Sequence, residues 1–376
     1  MDQDIDNPCV DEEDGTCVRS ALDRVFHRLD RLGAQTAETS VRLLLLGDSH
    51  IAADYIAKTS RARLQAVFGD GGRGYVHCDQ REGYGGRRRS QHPGFTRRRM
   101  IDSGLGRGRY GISGHILESN KVGGALEYAL EGDTKVTLYL DGRPDGAELS
   151  VRADSTAIGL ARGMAEPIDT LASSFAIPPD AKLLRLVATG PGAGLFGLDF
   201  LNGEIGLNLD AVGPVGADAT TYVEADAQSF ESHVRTLEPA LVMVMLGGND
   251  ALRIRKGQAT LDETKERFDT LLERLSHGAP GADCLLFAPM DAGDRTAAGI
   301  KSKSGIGPMR DMLRDLAREH GCAYWDLYAV MGEEGAIARW SKAGIMNADL
   351  VHPRAKAGEL IGHFFAEAFL RAYQKP

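Results

Sequence analysis

Long apolar runs, repeats and metal-ligand clusters are all missing from this sequence of 376 residues. No stretch approaches the length that a membrane-spanning helix needs, and no internal repeat or low-complexity tract is present. The histidines are scattered, and no Cys or His cluster has ligand spacing, so we expect no metal site. The N-terminus, MDQDIDNPCV, has neither a basic start nor an apolar stretch and is therefore not a signal peptide. The mature form of an exported protein would begin in the same way.

Positive charge is outnumbered, with 44 Lys and Arg residues against 53 Asp and Glu residues and a net charge of −9 at neutral pH. A net negative chain repels phosphate backbones, so nucleic acid is not expected as a partner. The local exception is a basic cluster that either forms a solvated loop or contacts an anionic polymer. Its members are Arg87, Arg88, Arg89, Arg97, Arg98 and Arg99.

Cysteine is rare, and its count of five leaves at least one thiol unpaired within the chain. Cys9 and Cys17 lie in a short acidic segment and could close a small disulfide loop. Cys284 and Cys322 lie in apolar runs that are typical of core strands. This mixture leaves the redox compartment open between the cytoplasm and an oxidising environment.

The composition is that of a globular protein, with 43% hydrophobic and 26% charged residues. Outside the middle of the chain, strands that are apolar on both faces alternate with amphipathic helices. This alternation of strands and helices predicts an α/β fold with a parallel sheet between two helical layers. The strands are expected at 41–46, 239–247, 283–289 and 322–330, and the helices at 18–32, 50–66, 262–276, 307–320 and 355–373.

The middle of the chain, from about 88 to 203, has a different character. Short β-rich pieces such as KVTLYLDG are separated by Gly, Pro and Asp turns, which predicts an inserted all-β domain. The glycine-rich stretch FGDGGRGY precedes it at 68–75 and lacks the lysine followed by Ser or Thr of a phosphate-binding loop. Asp54, Arg73 and Tyr75 either line a cleft or support this glycine-rich stretch.

Three motifs with polar side chains follow apolar strands or precede the last helix. Ser49 follows the first strand, where an open α/β sheet places its ligands, and it needs a base to act as a nucleophile. Asp349 lies three residues before His352, a spacing at which the carboxylate can orient the imidazole. Asn249 follows the strand at 239–247 and can donate to an oxyanion. Taken singly, each motif is a weak signal that also fits an N-cap, a turn or a helix start.

Together, these motifs resemble the first, third and fifth blocks of the SGNH, or GDSL, hydrolase superfamily. They are Gly47-Asp48-Ser49, Gly247-Gly248-Asn249-Asp250 and Asp349-Leu350-Val351-His352. The resemblance implies a flavodoxin-like sheet with Ser49 as nucleophile, His352 as base and Asp349 as its partner. It also implies that Asp48 braces the serine loop, while His50 is expected to pack or to face solvent.

The second block of that superfamily contributes a glycine N–H to the oxyanion hole. We place it at Gly216 in DAVGPVGAD, because the donor there must let its backbone approach the substrate closely. Gly213 is the alternative, although the following Pro214 restricts its conformation. Asn249 and the N–H of Ser49 complete the implied hole.

One branch of the superfamily is more similar still. The sequence resembles bacterial peptidoglycan O-acetylesterases that carry a jelly-roll-like, carbohydrate-binding-module-like domain. The shared features are GDSHIAADY, the glycine-rich stretch and a β insertion. Val215 departs from that branch, where an asparagine is expected. The implied domains are hydrolase at 1–87, with 1–17 as an extension, the inserted domain at 88–203, and hydrolase again at 204–376.

The resulting expectation is a serine esterase that removes O-acetyl groups from a carbohydrate polymer, most simply peptidoglycan, without a cofactor. An acetylated glycan is then the partner, and the compartment is the periplasm or the exterior, with the cytoplasm not excluded. The alternatives are another SGNH lipase or esterase, a carbohydrate O-acetyltransferase, and a non-catalytic glycan-binding protein. The sequence leaves the oligomeric state open.

Overall fold

A computed structural model describes residues 4–79, 92–102, 108–166, 169–203 and 205–374 of the protein. The chain begins with an antiparallel hairpin of β1 (Cys9–Glu13) and β2 (Thr16–Ser20). A disulfide between Cys9 and Cys17 closes this hairpin, as the sequence allowed. Arg87, Arg88 and Arg89 lie outside the described residues.

The first part of the α/β unit follows the hairpin. Its elements are α1 (Asp23–Gly33), β3 (Val41–Gly47), α2 (Ser49–Ala52), α3 (Tyr55–Phe68) and β4 (Gly74–His77). The prediction that a helix begins at residue 18 is wrong, because Val18 lies exposed in β2. The helix begins later because the hairpin runs to Ser20, whose N–H donates to the Asp23 carboxylate at 2.6 Å.

An all-β domain is inserted between the two parts of the α/β unit. Its strands are β5 (Phe95–Arg99), β6 (His115–Ser119), β7 (Ala125–Ala129), β8 (Lys135–Asp141), β9 (Leu149–Ala153), β10 (Thr156–Ala161), β11 (Thr170–Ala176), β12 (Leu183–Ala188) and β13 (Gly194–Leu201). They form two antiparallel sheets, in the orders β10-β9-β12-β7 and β11-β8-β13-β6-β5. Buried side chains of both sheets share one core, as in a jelly-roll sandwich.

The second part of the α/β unit completes the chain. Its elements are β14 (Leu207–Val212), α4 (Ala219–Glu224), α5 (Ala227–Leu237), β15 (Leu241–Met245), α6 (Gly248–Arg255), α7 (Leu261–Gly278), β16 (Asp283–Phe287), β17 (Gly293–Thr296), β18 (Gly299–Ser302), α8 (Ile306–Glu319), β19 (Ala323–Trp325), α9 (Leu327–Met331), α10 (Ala336–Lys342) and α11 (Ala355–Gln374). No helix within the described ranges is both long and apolar enough to cross a membrane.

A five-stranded parallel sheet forms the centre of the α/β unit, in the order β14-β3-β15-β16-β19. This is the flavodoxin-like order, and it confirms the predicted fold class. β3 is buried on both faces. Leu43 and Leu45 join the core under α1, α3 and α11, whereas Leu44 and Leu46 join the core under α5, α7 and α8.

The strand predicted at 322–330 is much shorter than expected. β19 ends at Trp325, and α9 begins two residues later because the Asp326 side chain accepts the N–H of Ala329 and caps it. Cys322, just before β19, forms a disulfide with Cys284 in β16. The remaining cysteine, Cys78, is buried and free.

The inserted domain is joined to the α/β unit by paired strands and buried charge. β4 pairs with β13 and so belongs to an inserted sheet, although it precedes the boundary expected at residue 88. Arg42 on β3 bridges the buried carboxylates of Asp210 on β14 and Asp199 on β13. The division at 88 and 203 stays a prediction.

Candidate active site

Three distant segments meet at the carboxyl ends of the parallel strands. β3 ends at Gly47, and Ser49 opens the short helix α2 directly after it. β15 ends at Met245, and Asn249 lies in the first turn of α6. The loop before α11 brings the segment around His352 to the same edge.

Gly47 is required at this edge by close packing. A Cβ atom there would lie 2.3 Å from the Cγ1 of Ile51 and 3.1 Å from the backbone oxygen of Met245. The strand end and the start of α2 therefore pack against β15 without a side chain between them. This contact sets the position of the serine that follows.

Ser49, His352 and Asp349 form a continuous hydrogen-bonded chain. The Oγ of Ser49 lies 2.8 Å from the Nε2 of His352, and the Nδ1 of His352 lies 2.8 Å from the Oδ2 of Asp349. Such a chain can pass the hydroxyl proton to the imidazole while the carboxylate stabilises the imidazolium.

The Asp349 carboxylate is held by its own loop. Its Oδ1 accepts the backbone N–H groups of Val351 at 2.9 Å and His352 at 3.0 Å. Partial burial opposes ionisation, but the hydrogen bonds from His352 and Val351 outweigh it and lower the pKa of Asp349. The carboxylate therefore stays charged at neutral pH, as an orienting partner of a base must.

Two backbone N–H groups beside the Ser49 hydroxyl are open to a ligand. Within the described residues, the N–H groups of Ser49 and Gly216 donate no hydrogen bond. Gly216 has a φ of +85° and nothing within 4 Å of the place where a Cβ would stand, and it lines the same cavity as Ser49. Gly213 instead packs on α2, since a Cβ there would lie 2.3 Å from the Asp48 oxygen. Gly216 is therefore the more open of the two glycines, and its role as an oxyanion donor stays a prediction.

The Asn249 amide lies beside these groups but is already engaged. Its Nδ2 donates to the backbone oxygen of Ala217 at 2.8 Å and to the Oδ2 of Asp48 at 3.2 Å. Both partners are acceptors, so the orientation of the amide is defined by its contacts. The longer hydrogen bond, to Asp48, is the one that a developing oxyanion would compete for.

His50 is a residue of this site that the motifs did not reveal. It is buried, and its Nδ1 lies 2.7 Å from the Oδ1 of Asp48. Its ring stacks on the ring of His352, with 5.3 Å between centroids. The expectation that it simply packs or faces solvent missed this ion pair. The adjacent acid and imidazole in Asp48-Ser49-His50 were the available signal.

A cavity of about 170 Å³ lies in front of the Ser49 hydroxyl. One wall is apolar, and the Arg255 and Lys303 side chains stand at the rim together with the exposed Ser304. The apolar wall consists of Val215, Met245, Leu246, Ala251, Leu252, Pro289, Met290, Ala292 and Ile306. Such a cavity suits a small acyl group on a polar carrier.

The cavity beside Ser49 is not lined by Asp54, Arg73 or Tyr75. Arg73 forms hydrogen bonds with Asp133 of the inserted domain, and Tyr75 is buried with its hydroxyl donating to the Phe196 oxygen at 3.0 Å. Asp54 precedes α3 and lies 3.8 Å from Arg61.

The described arginines of the basic cluster are paired with carboxylates. Arg97 contacts Asp79 at 2.9 Å, Arg98 contacts Glu118, and Arg99 contacts Asp102. In the described ranges, no group of three His, Cys, Asp or Glu residues could hold a metal ion.

One known family matches the second part of the chain. Residues 201–360, which include Asn249, Asp349 and His352, match the GDSL-like lipase/acylhydrolase family. Among curated protein sequences, no match to the chain is found. The family match and the sheet topology confirm the predicted resemblance to the SGNH, or GDSL, hydrolase superfamily, and the chain has that fold with an inserted β domain.

Solved structures that match the chain include one that extends over nearly its whole length. A peptidoglycan O-acetylesterase superposes with a TM-score of 0.78 at 20% identity, over 93% of this chain and 96% of its own. The protein YxiM from Bacillus subtilis matches with a TM-score of 0.39 at 18% identity, over 75% of this chain and 90% of its own. The acetyl xylan esterase AlAXEase matches with a TM-score of 0.34 at 17% identity, over 44% and 82%.

Proposed function

We propose that this protein is a serine esterase that removes O-acetyl groups from a carbohydrate polymer, with peptidoglycan as the first candidate. The observation that carries the proposal is the 2.8 Å contact between the Ser49 hydroxyl and the His352 ring, which Asp349 orients. No group beyond side chains and backbone is needed for this chemistry.

The proposed reaction has two halves. His352 takes the proton of Ser49 as the Oγ attacks the acetyl carbonyl, and the same proton then passes to the leaving sugar oxygen as the ester bond breaks. Water, deprotonated by His352, then attacks the acetyl-serine; the bond between the acyl carbon and the Oγ breaks, acetate leaves, and His352 returns the proton to the Oγ of Ser49. The N–H groups of Ser49 and Gly216 and the Asn249 amide hold the oxyanion in both halves.

The substrate class is supported by two observations. The cavity beside Ser49 is small and apolar, which suits an acetyl group better than a long acyl chain. The chain also superposes over nearly its whole length on a peptidoglycan O-acetylesterase. We therefore place this chain among esterases of acetylated glycans, and we assign residues 88–203 the role of a carbohydrate-binding-module-like domain.

An oxidising compartment, the periplasm or the exterior, is part of the same proposal. Four cysteines form two disulfides, Cys9–Cys17 and Cys284–Cys322. Disulfides persist outside the cytoplasm and are rare within it. A peptidoglycan substrate would be met in that compartment.

Acetate release from three substrates tests the proposal. We expect faster release from O-acetylated peptidoglycan than from acetylated xylan, hydrolysis of a simple aryl acetate, and loss of all three activities in Ser49→Ala. Transfer of the acetyl group to an added sugar in preference to water would instead identify a transferase. Glycan binding without hydrolysis of any ester would identify a binding protein and refute the proposal.

A further inference from the structure

Both ring nitrogens of His50 face hydrogen-bond acceptors. Nδ1 lies 2.7 Å from the Oδ1 of Asp48, and Nε2 lies 3.2 Å from the backbone oxygen of Val351. A carboxylate and a carbonyl oxygen can only accept, so each ring nitrogen must donate. A ring that donates from both nitrogens is an imidazolium.

The charge of such a ring is balanced within the site. Burial lowers the pKa of His50, but the charge and hydrogen bond of Asp48 outweigh it and raise the pKa above its usual value. A buried carboxylate and a buried imidazolium in contact each stabilise the charged form of the other. The hydrogen-bond geometry and the raised pKa of His50 therefore both favour a charged ring, although Asp48 and His50 are only 2% and 9% exposed.

This ion pair connects all three segments of the site. Asp48 also accepts the backbone N–H of His50 at 2.9 Å and the Asn249 amide at 3.2 Å. On its other side, the His50 ring holds the backbone of Val351, the residue before His352. One pair of side chains thus fixes the serine loop, the asparagine amide and the histidine loop relative to each other.

We propose that the Asp48–His50 ion pair is the positioning element of the active site, and that the His50 imidazolium also sets the charge beside the His352 ring. The rings of the two histidines stack at 5.3 Å with 29° between their planes, so a positive charge on His50 opposes a second one on His352. The role of His50 rests on the proposed esterase function, since its effect is exerted through His352 and Asn249.

Within the described residues, the other ionisable groups that interact with this pair lie on three segments. Asp349 faces His50 from the loop before α11, together with His352. Asp250 on α6 and Tyr222 on α4 face Asp48. Tyr222 is buried, and burial holds its pKa far above neutral pH. Burial and the Asp218 and Asp48 carboxylates raise the pKa of Asp250 to about 7, so the Asp250→Asn variant separates its titration from that of His50.

The test uses two neutral replacements and a matched control in the full-length protein. His50→Asn keeps a donor near the position of Nδ1, and His50→Gln keeps one near the position of Nε2. His320→Asn removes a histidine that also contacts a carboxylate, Asp269 at 2.8 Å, but lies outside the site. The kcat/KM for an aryl acetate is measured from pH 5 to 9 for each variant and for Asp250→Asn.

Removing the imidazolium leaves the Asp48 charge unbalanced and removes a positive neighbour of His352. Both changes favour a protonated His352 ring, so the acid limb of kcat/KM should move up by about one pH unit in both His50 variants. The plateau should fall about ten- to a hundredfold through lost alignment. The His320→Asn profile should match the wild type. An unshifted acid limb in folded His50→Asn and His50→Gln would overturn the proposal.

A measurement on the wild-type protein covers the case in which the variants do not fold. The ring nitrogens of His50 are observed by ¹⁵N NMR at pH 7, and both should carry a proton. A neutral ring would refute the inference whatever the fate of the variants. Absence of aryl acetate hydrolysis in the wild type would instead refute the esterase function, because the ¹⁵N result reports the ion pair independently.

Discussion

Ser49 illustrates what short motifs can predict about single residues. Its place after an apolar strand and the three-residue spacing of Asp349 and His352 were visible in the sequence, and the structure brings these side chains into contact. Their catalytic roles stay a prediction. The role of His50 could not be predicted, because its ring contacts Val351, which lies 301 residues away in the sequence.

Asp283 gives a prediction about pH and stability at the scale of one residue. This buried carboxylate accepts the N–H of Val25 at 2.7 Å and so caps α1 from β16. Burial raises the pKa of Asp283 to about 6. The folded protein therefore binds a proton that the unfolded chain has already lost between about pH 4 and 6, and stability falls as pH rises through this window.

The Asp283→Asn variant keeps an acceptor for Val25 but cannot ionise. Relative to the wild type, its free energy of unfolding should rise by about 1–3 kcal/mol between pH 4 and 8. Denaturant unfolding at a series of pH values measures this difference. Parallel curves for the two proteins would show that Asp283 does not titrate in this window.

At the scale of elements, apolar runs predicted four of the five parallel strands, but they missed β14 and did not show where the strands stop. β3 was expected at 41–46 and lies at Val41–Gly47. The run at 322–330 is equally apolar, yet it divides into β19 and α9 because Asp326 caps a helix. Only the carboxylate within the run signalled this break. A cap competes with strand continuation, and hydrophobicity alone does not decide between them.

The contact between α3 and α11 depends on glycines. A Cβ at Gly362 would lie 2.6 Å from the backbone oxygen of Ile56 and 2.8 Å from the Cβ of Thr59. We expect Gly362→Ala to lower the free energy of unfolding by about 1–3 kcal/mol, because the helices must separate. Gly33→Ala is the matched control, since nothing lies within 4 Å of its Cβ position at the end of α1.

The control variant should be as stable as the wild type or slightly more so, because alanine favours a helix by up to about 1 kcal/mol over glycine. Thermal melting compares the three proteins. Equal melting temperatures for Gly362→Ala and Gly33→Ala would show that the two helices are not in close contact through Gly362.

At the scale of the whole molecule, the change to β-rich pieces between 88 and 203 indicated an inserted domain. The way this domain attaches could not be predicted, because β4 pairs with β13 across more than 100 residues. The same holds for Arg42, whose partners on β13 and β14 become neighbours only after folding. Contacts of this kind leave no local pattern in a sequence.

Arg42 gives the prediction at this scale. Replacing it by Gln leaves the buried carboxylates of Asp199 and Asp210 without a countercharge. We expect Arg42→Gln to lower the free energy of unfolding by about 3–5 kcal/mol. Arg63→Gln is the control, because Arg63 and Glu367 form an exposed pair, which contributes about 1 kcal/mol or less. Equal losses in the two variants would exclude a role for Arg42 in attaching the inserted domain.

The proposed mechanism requires the Ser49 hydroxyl to be the nucleophile that His352 activates. Mass spectrometry of the protein after reaction with a serine-directed phosphonate tests it most directly. We expect one adduct, mapped to Ser49, in the wild type and in Ser304→Ala, whose hydroxyl lies at the rim of the same cavity. We expect no adduct in Ser49→Ala. An adduct that persists in folded Ser49→Ala, or one that maps to another residue of the wild type, would contradict it.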